Sequence, residues 1–146
     1  MKIDIICVGK LKEDYLKAAQ KEYLKRLTPY GRFFVYEVQE GSLESEAAKI
    51  EKLLADGVFR IAMAIEGESI SSMGFAQKLV HLGLNGKSHV AFLIGGSIGL
   101  SKDILHSCHL KLSFSAMTFP HQLARIMLLE QIYRAFRIIK NEPYHK

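Results

Sequence analysis

The sequence predicts an α/β fold, a mostly parallel sheet with helices on both faces, built by a single domain over residues 1–146. Three observations predict it. Five short apolar segments are separated by stretches with helical spacing, the pattern of strands joined by crossover helices. The segment His89 to Ile94 is apolar at every position after its first, as expected of a strand covered on both faces and central in the sheet. A chain of 146 residues also suffices for one sizeable core rather than two, and neither a repeat nor a linker divides it.

In chain order, Lys2 to Val8 reads as the first strand, closed by Gly9. Glu13 to Leu27 follows as a helix, with Tyr15, Leu16, Ala19, Tyr23 and Leu27 at helical spacing, and Pro29 and Gly31 stop it. Arg32 to Val38 is the second strand. Leu43 to Ala55 is the second helix, capped by Ser42 and ended at Gly57. Phe59 to Ile65 is the third strand, followed by a turn at Glu66 and Gly67. A helix capped by Ser71 or Ser72 then runs to about Leu82, closed by Gly83 to Gly86. After the fourth strand come a glycine-rich loop, a short helix from Lys102 to Ser107 and a fifth strand from Leu110 to Phe114. A loop through Pro120 starts the longest helix, His121 to Ile139.

Composition narrows the function classes. With 49% hydrophobic and 24% charged residues the chain is a folded globular protein, not a disordered one. Its opening stretch is too short and charged for a secretory signal, and no apolar run approaches the roughly 20 residues that span a bilayer, so it is read as cytoplasmic and free of membrane. Cys7 and Cys108 lack CxxC spacing and read as buried thiols. A net charge of +5 favours anionic partners, nucleic acid among them.

Ligands of parallel sheets bind beyond the carboxyl ends of the strands, here the loops after Ile65, Ile94 and Phe114. Gly95, Gly96 and Gly99 in IGGSIGL match neither a dinucleotide fingerprint nor a phosphate-binding lysine loop. They suit a tight turn or a ligand pocket equally. The segment Ser113 to Gln122, SFSAMTFPHQ, offers backbone polar groups between the apolar Phe114, Met117 and Phe119, as an adenine pocket or as a connecting loop. The last helix carries more apolar residues than one face can hold, which points to a homodimer contact. Arg125 lies among them as a candidate clamp for an anion, while Arg134, Arg137 and Lys140 read as a solvated basic face. Pro143, Tyr144 and His145 form a tail that either frays or brings an imidazole to a substrate. His106, Cys108 and His109 lack a remote fourth ligand, so no metal centre is expected. Without paired carboxylates, a GxSxG elbow or a phosphate-binding lysine, hydrolase and kinase chemistry find no support.

IGGSIGLS, LSFSAMTFPHQLARIMLLEQIYRAFRI and the terminal PYHK, with VGKLKEDY and IEGESISS upstream, resemble the RlmH family of ribosomal RNA large-subunit methyltransferases, in the SPOUT superfamily. Met73 departs from the family, standing where an acidic residue often follows the serine pair. The resemblance implies methyl transfer from S-adenosylmethionine, without metal, to N3 of a pseudouridine in large-subunit rRNA within the assembled ribosome. It also implies a C-terminal trefoil knot and a homodimer whose active site joins one subunit's cofactor to the other's tail. By motif, the cofactor would touch Met63, Gly95, Phe114, Ser115, Ala116, Met117, Thr118 and Phe119. His145 is the expected base, beside Tyr144, with His121 its alternative, and Arg125 is expected to stabilise the ring anion. Rival readings are a methyltransferase of this fold acting on tRNA, a non-catalytic RNA-binding assembly factor, and a dimerisation module.

Overall fold

Side chains alternate across a strand, and here the alternation builds a core on each side of one sheet. The computed structural model describes residues Met1–Lys146. Its elements are β1 (Lys2–Val8), α1 (Asp14–Leu27), a 3-10 turn at Thr28–Tyr30, β2 (Arg32–Val38), α2 (Leu43–Leu53), β3 (Phe59–Ser69), α3 (Ser72–Leu84), β4 (His89–Ile94), α4 (Lys102–Ser107), β5 (Leu110–Ser113) and α5 (His121–Ile139). All strand pairs are parallel, in the order β2-β1-β4-β3-β5. The continuously apolar strand is therefore central, as its composition predicts.

Ile3, Ile5 and Cys7 of β1 and Val90, Phe92 and Ile94 of β4 face the larger core, with Leu16 of α1, Leu79 of α3 and Leu129 of α5. Ile6, Val8, Ala91 and Leu93 face the smaller core, closed by Ile50 of α2 and Ile104 of α4. Burying one such side chain contributes about 1.5–3 kcal/mol. Serine hydroxyls cap three helices: Ser42 accepts from Ser45 N at 3.1 Å, Ser71 from Gly74 N at 3.0 Å and Ser101 from Ile104 N at 3.2 Å. No helix is long and apolar enough to cross a membrane.

Three expectations change. The third strand does not turn at Glu66 and Gly67: β3 continues to Ser69, and its pairing with β5 slips between Met63 and Glu68. A Cβ on Gly67 would lie 2.7 Å from backbone atoms of Leu112, so the glycine permits two backbones to touch at this bulge. α3 passes through Gly83 to Leu84, and the chain reverses at Asn85 and Gly86, where φ is +76°. Most of the apolar surplus of α5 is used inside the protomer, since Ile126, Leu128, Leu129, Ile132, Tyr133 and Phe136 are all buried in the larger core.

Candidate functional site

The carboxyl ends of β3, β4 and β5 surround a cavity of about 770 Å³. Met63, Gly95, Phe114, Ser115, Met117, Thr118, Phe119 and His121 line it, as does Glu66, its only carboxylate. Ala116 sits on the same loop, exposed and outside the lining. Apolar side chains ring the mouth: Ile65 is 54%, Ile98 65% and Met117 73% exposed. Sequence reasoning missed Ile65 and Ile98. Their signal was present as bulky apolar residues at a strand's outer end and in a loop, where solvent gives no reason for them.

The glycine loop is a tight turn that also lines the cavity. Gly99 N donates to Gly96 O at 3.0 Å, and Gly99 adopts φ +79°. A Cβ on Gly95 would lie 2.6 Å from Gly99 O and 2.8 Å from Leu100 N. Gly95 is thus required by the turn, and the turn walls the cavity. Opposite it, serines fold the next loop on itself: Ser115 N donates to Ser113 Oγ at 3.2 Å, and Met117 N to Ser115 Oγ at 3.0 Å. Those bonds occupy hydroxyls that a ligand would otherwise find free.

Arg125 is not in the lining. Its side chain is 1% exposed, and its Nη atoms donate to Glu37 Oε2 at 2.7 Å, Gln20 Oε1 at 3.1 Å and Gly9 O at 3.0 Å. The expected contact with a substrate anion gives way to a tie between α5 and the loop after β1. That loop is fastened again by Lys12 N, which donates to Gln122 Oε1 at 2.9 Å. Beside it, His121 Nε2 is buried without a hydrogen-bond partner, 3.9 Å from Glu40 Oε1.

The tail does not fray. Tyr144 Oη donates to Glu130 Oε1 at 3.2 Å, and its ring meets Tyr133 edge-on at 4.9 Å. Arg134 lies 4.8 Å over the same ring and bonds Glu130, and its Nη1 is 3.1 Å from His145 Nδ1. Arg137 binds Glu142 Oε2 at 2.9 Å and Pro143 O at 3.0 Å. Arg134 and Arg137 therefore anchor the tail rather than form a solvated face; Lys140 is exposed. Desolvation, reinforced by the negative charge of Glu130, pushes the Tyr144 phenol up to about 12, so it stays a donor. Neither Tyr144 nor His145 lines the cavity of its own protomer.

A smaller cavity of about 430 Å³ adjoins the first, between α3 and α5, and the two share Met63, Leu112, Ser113 and Phe114. Away from both, His109 Nδ1 accepts from Arg60 N at 2.9 Å and its ring stacks on Phe59 at 4.7 Å, so this imidazole secures the edge of the sheet.

A family model described as "Predicted SPOUT methyltransferase" matches residues 1–145. A Clostridium kluyveri protein named ribosomal RNA large subunit methyltransferase H is 50% identical over 159 aligned residues, covering 100% of each chain. One of the same name from Bifidobacterium animalis is 48% identical, again over 100% of each. Among solved structures, a probable methylase family protein from Haemophilus influenzae superposes with a TM-score of 0.60 at 18% identity, covering 99% of this chain and 70% of that one. The SpoU methyltransferase AviRb from Streptomyces viridochromogenes, solved in complex with AdoMet, gives 0.50 at 13%, covering 94% and 58%. At such identities the likeness is one of fold.

Proposed function

The chain belongs to the SPOUT methyltransferases, within them to the ribosomal RNA large subunit methyltransferase H family, and from that premise we propose that it methylates N3 of a pseudouridine in large-subunit rRNA. The donor in this reading is S-adenosylmethionine, the substrate is the assembled ribosome, and the working unit is a cytoplasmic homodimer. One observation carries it: both motif loops wall a single cavity at the strand ends.

The lining suits such a cofactor. Phe114, Ile98 and Met117 offer apolar surface to an adenine, and Glu66 and Thr118 offer polar handles to amino and hydroxyl groups. When bound, S-adenosylmethionine supplies an electrophilic methyl carbon that a nucleophile takes by in-line displacement. The protein's part is alignment, which the glycine turn and the serine-braced loop provide by being rigid. Met63 lines the same cavity.

The imide nitrogen reacts once its proton leaves, and an imidazole is the fitting acceptor. His121 reaches the cavity of its own protomer. His145, held outward on α5 by Arg134, serves the cavity of a second copy, together with Tyr144. Arg125 acts indirectly, positioning His121 through the Gly9 loop. The trefoil threading belongs to the same reading, and the family membership is what supports it.

The test is incubation of the protein, labelled S-adenosylmethionine and ribosomes lacking the modification, followed by mapping of the methylated nucleotide. Label at N3 of one large-subunit pseudouridine is expected. Label in tRNA instead would overturn the substrate, and absence of cofactor binding by calorimetry would leave an RNA-binding factor. Turnover unchanged by His145→Ala and by removal of Tyr144 to Lys146 would end the tail's catalytic role.

A further inference from the structure

We propose that the β2 side of the second sheet face, at the end of the strands opposite the cavity, is a docking surface for single-stranded RNA. The proposal rests on the reading of RNA as substrate. Strand register places Arg32, Lys2 and His89 side by side across β2, β1 and β4, and Phe34, Asp4 and Ala91 in the next row on the same face. Tyr36 follows, packed against the smaller core. The smaller core, with Ile50 of α2 and Ile104 of α4, covers this face as far as Ala91, and Asp4 is buried as well. What stays open is the β2 side, where Phe34 is 40% exposed and Arg32 is exposed, with Lys2 half-buried beside them.

The exposed ring is built into its setting. It stacks with Tyr36 at 6.3 Å and 26°, and Lys2 Nζ lies 5.4 Å from its centroid. Beneath, Asp4 is 4% exposed; its Oδ2 holds His89 Nε2 at 2.7 Å, and its Oδ1 has no partner. Charge on an edge strand is commonly a guard against aggregation, which accounts for Arg32 but not for an aromatic pair beside it. Two cations, Lys2 and Arg32, next to aromatic rings on a sheet match the chemistry of a nucleotide chain, phosphates on the first row and a base stacked on Phe34. β1 rises about 3.3 Å per residue, so the patch lies roughly 20 Å from the cavity. A large RNA can reach both, one end held while the other presents its nucleoside.

The experiment is fluorescence anisotropy of a short labelled single-stranded oligoribonucleotide with the full-length protein over a salt series. Phe34→Ala is expected to weaken binding about tenfold, while Phe34→Tyr retains it. Lys2→Ala with Arg32→Ala should lower the slope of log affinity against log salt by about 0.7 for each phosphate contact removed. Affinity and slope at wild-type values in these variants would overturn the proposal. So would a change of oligomeric state in Phe34→Ala, read by sedimentation, because the patch would then be covered by a second copy. Methyl transfer to ribosomes is measured in parallel. If transfer is absent but the oligonucleotide results hold, the rRNA methyltransferase reading fails and the patch stands; if transfer occurs but Phe34→Ala binds normally, the patch alone fails.

Discussion

Arg125 of α5 and Glu37 of β2 meet at 2.7 Å, the arginine 1% exposed and the glutamate 36%. The asymmetry predicts unequal costs. Glu37→Ala leaves a buried guanidinium without its carboxylate and should destabilise the fold by about 3–5 kcal/mol. Arg125→Met leaves a carboxylate that water can still reach, so mainly hydrogen bonds are lost, about 1–3 kcal/mol. Denaturant unfolding of the two variants checks the order; equal costs would remove the argument from burial.

Gly95→Ala should lower stability and cofactor binding together, because the added carbon meets the backbone of Gly99 and Leu100. Met117→Ala removes an exposed side chain and should weaken binding several-fold with little change in melting temperature. Calorimetry alongside thermal unfolding separates a broken turn from a lost contact.

Tyr144 should titrate late. Burial and Glu130 favour the neutral phenol, so its contribution to tail docking is fully present below the ordinary value of 10.0 and is lost as pH rises through about 12. Hydrogen exchange of the tail amides should stay constant from neutral pH to about 10, after correction for intrinsic rates, and the tail should open as pH rises from there through about 12. Opening at lower pH would show that the phenol is not what holds it.

Cys7 should resist alkylation in the native protein. Burial pushes its thiol up to about 12, leaving almost no thiolate at neutral pH. Mass spectrometry after treatment with a thiol reagent should find Cys7 modified only under unfolding conditions; rapid native labelling would mean that β1 opens locally.

Much of this was legible in the chain. Strand alternation announces both cores, the apolar run of β4 announces its central place, and Ser42 and Ser71 mark helix starts. The eight residues assigned to the cofactor by motif gather in one place, except that Ala116 turns outward. What escaped depends on distant partners. Arg125 reads as a clamp for an anionic ligand until Glu37, 88 positions away, is brought beside it. Gly67 reads as a turn because glycine at a turn and glycine between two touching backbones look alike in sequence. Whether the tail frays or docks stays open in the sequence because Glu130 and Tyr133, which hold it, precede it by a helix.

The two cavities share part of their lining, Met63 and Phe114 among it. An occupant on either side that shifts those side chains alters the affinity of the other, and by the same factor in both directions. The two occupancies are then coupled through a shared partition: each occupant selects the shape its neighbour must accept, whichever seats first.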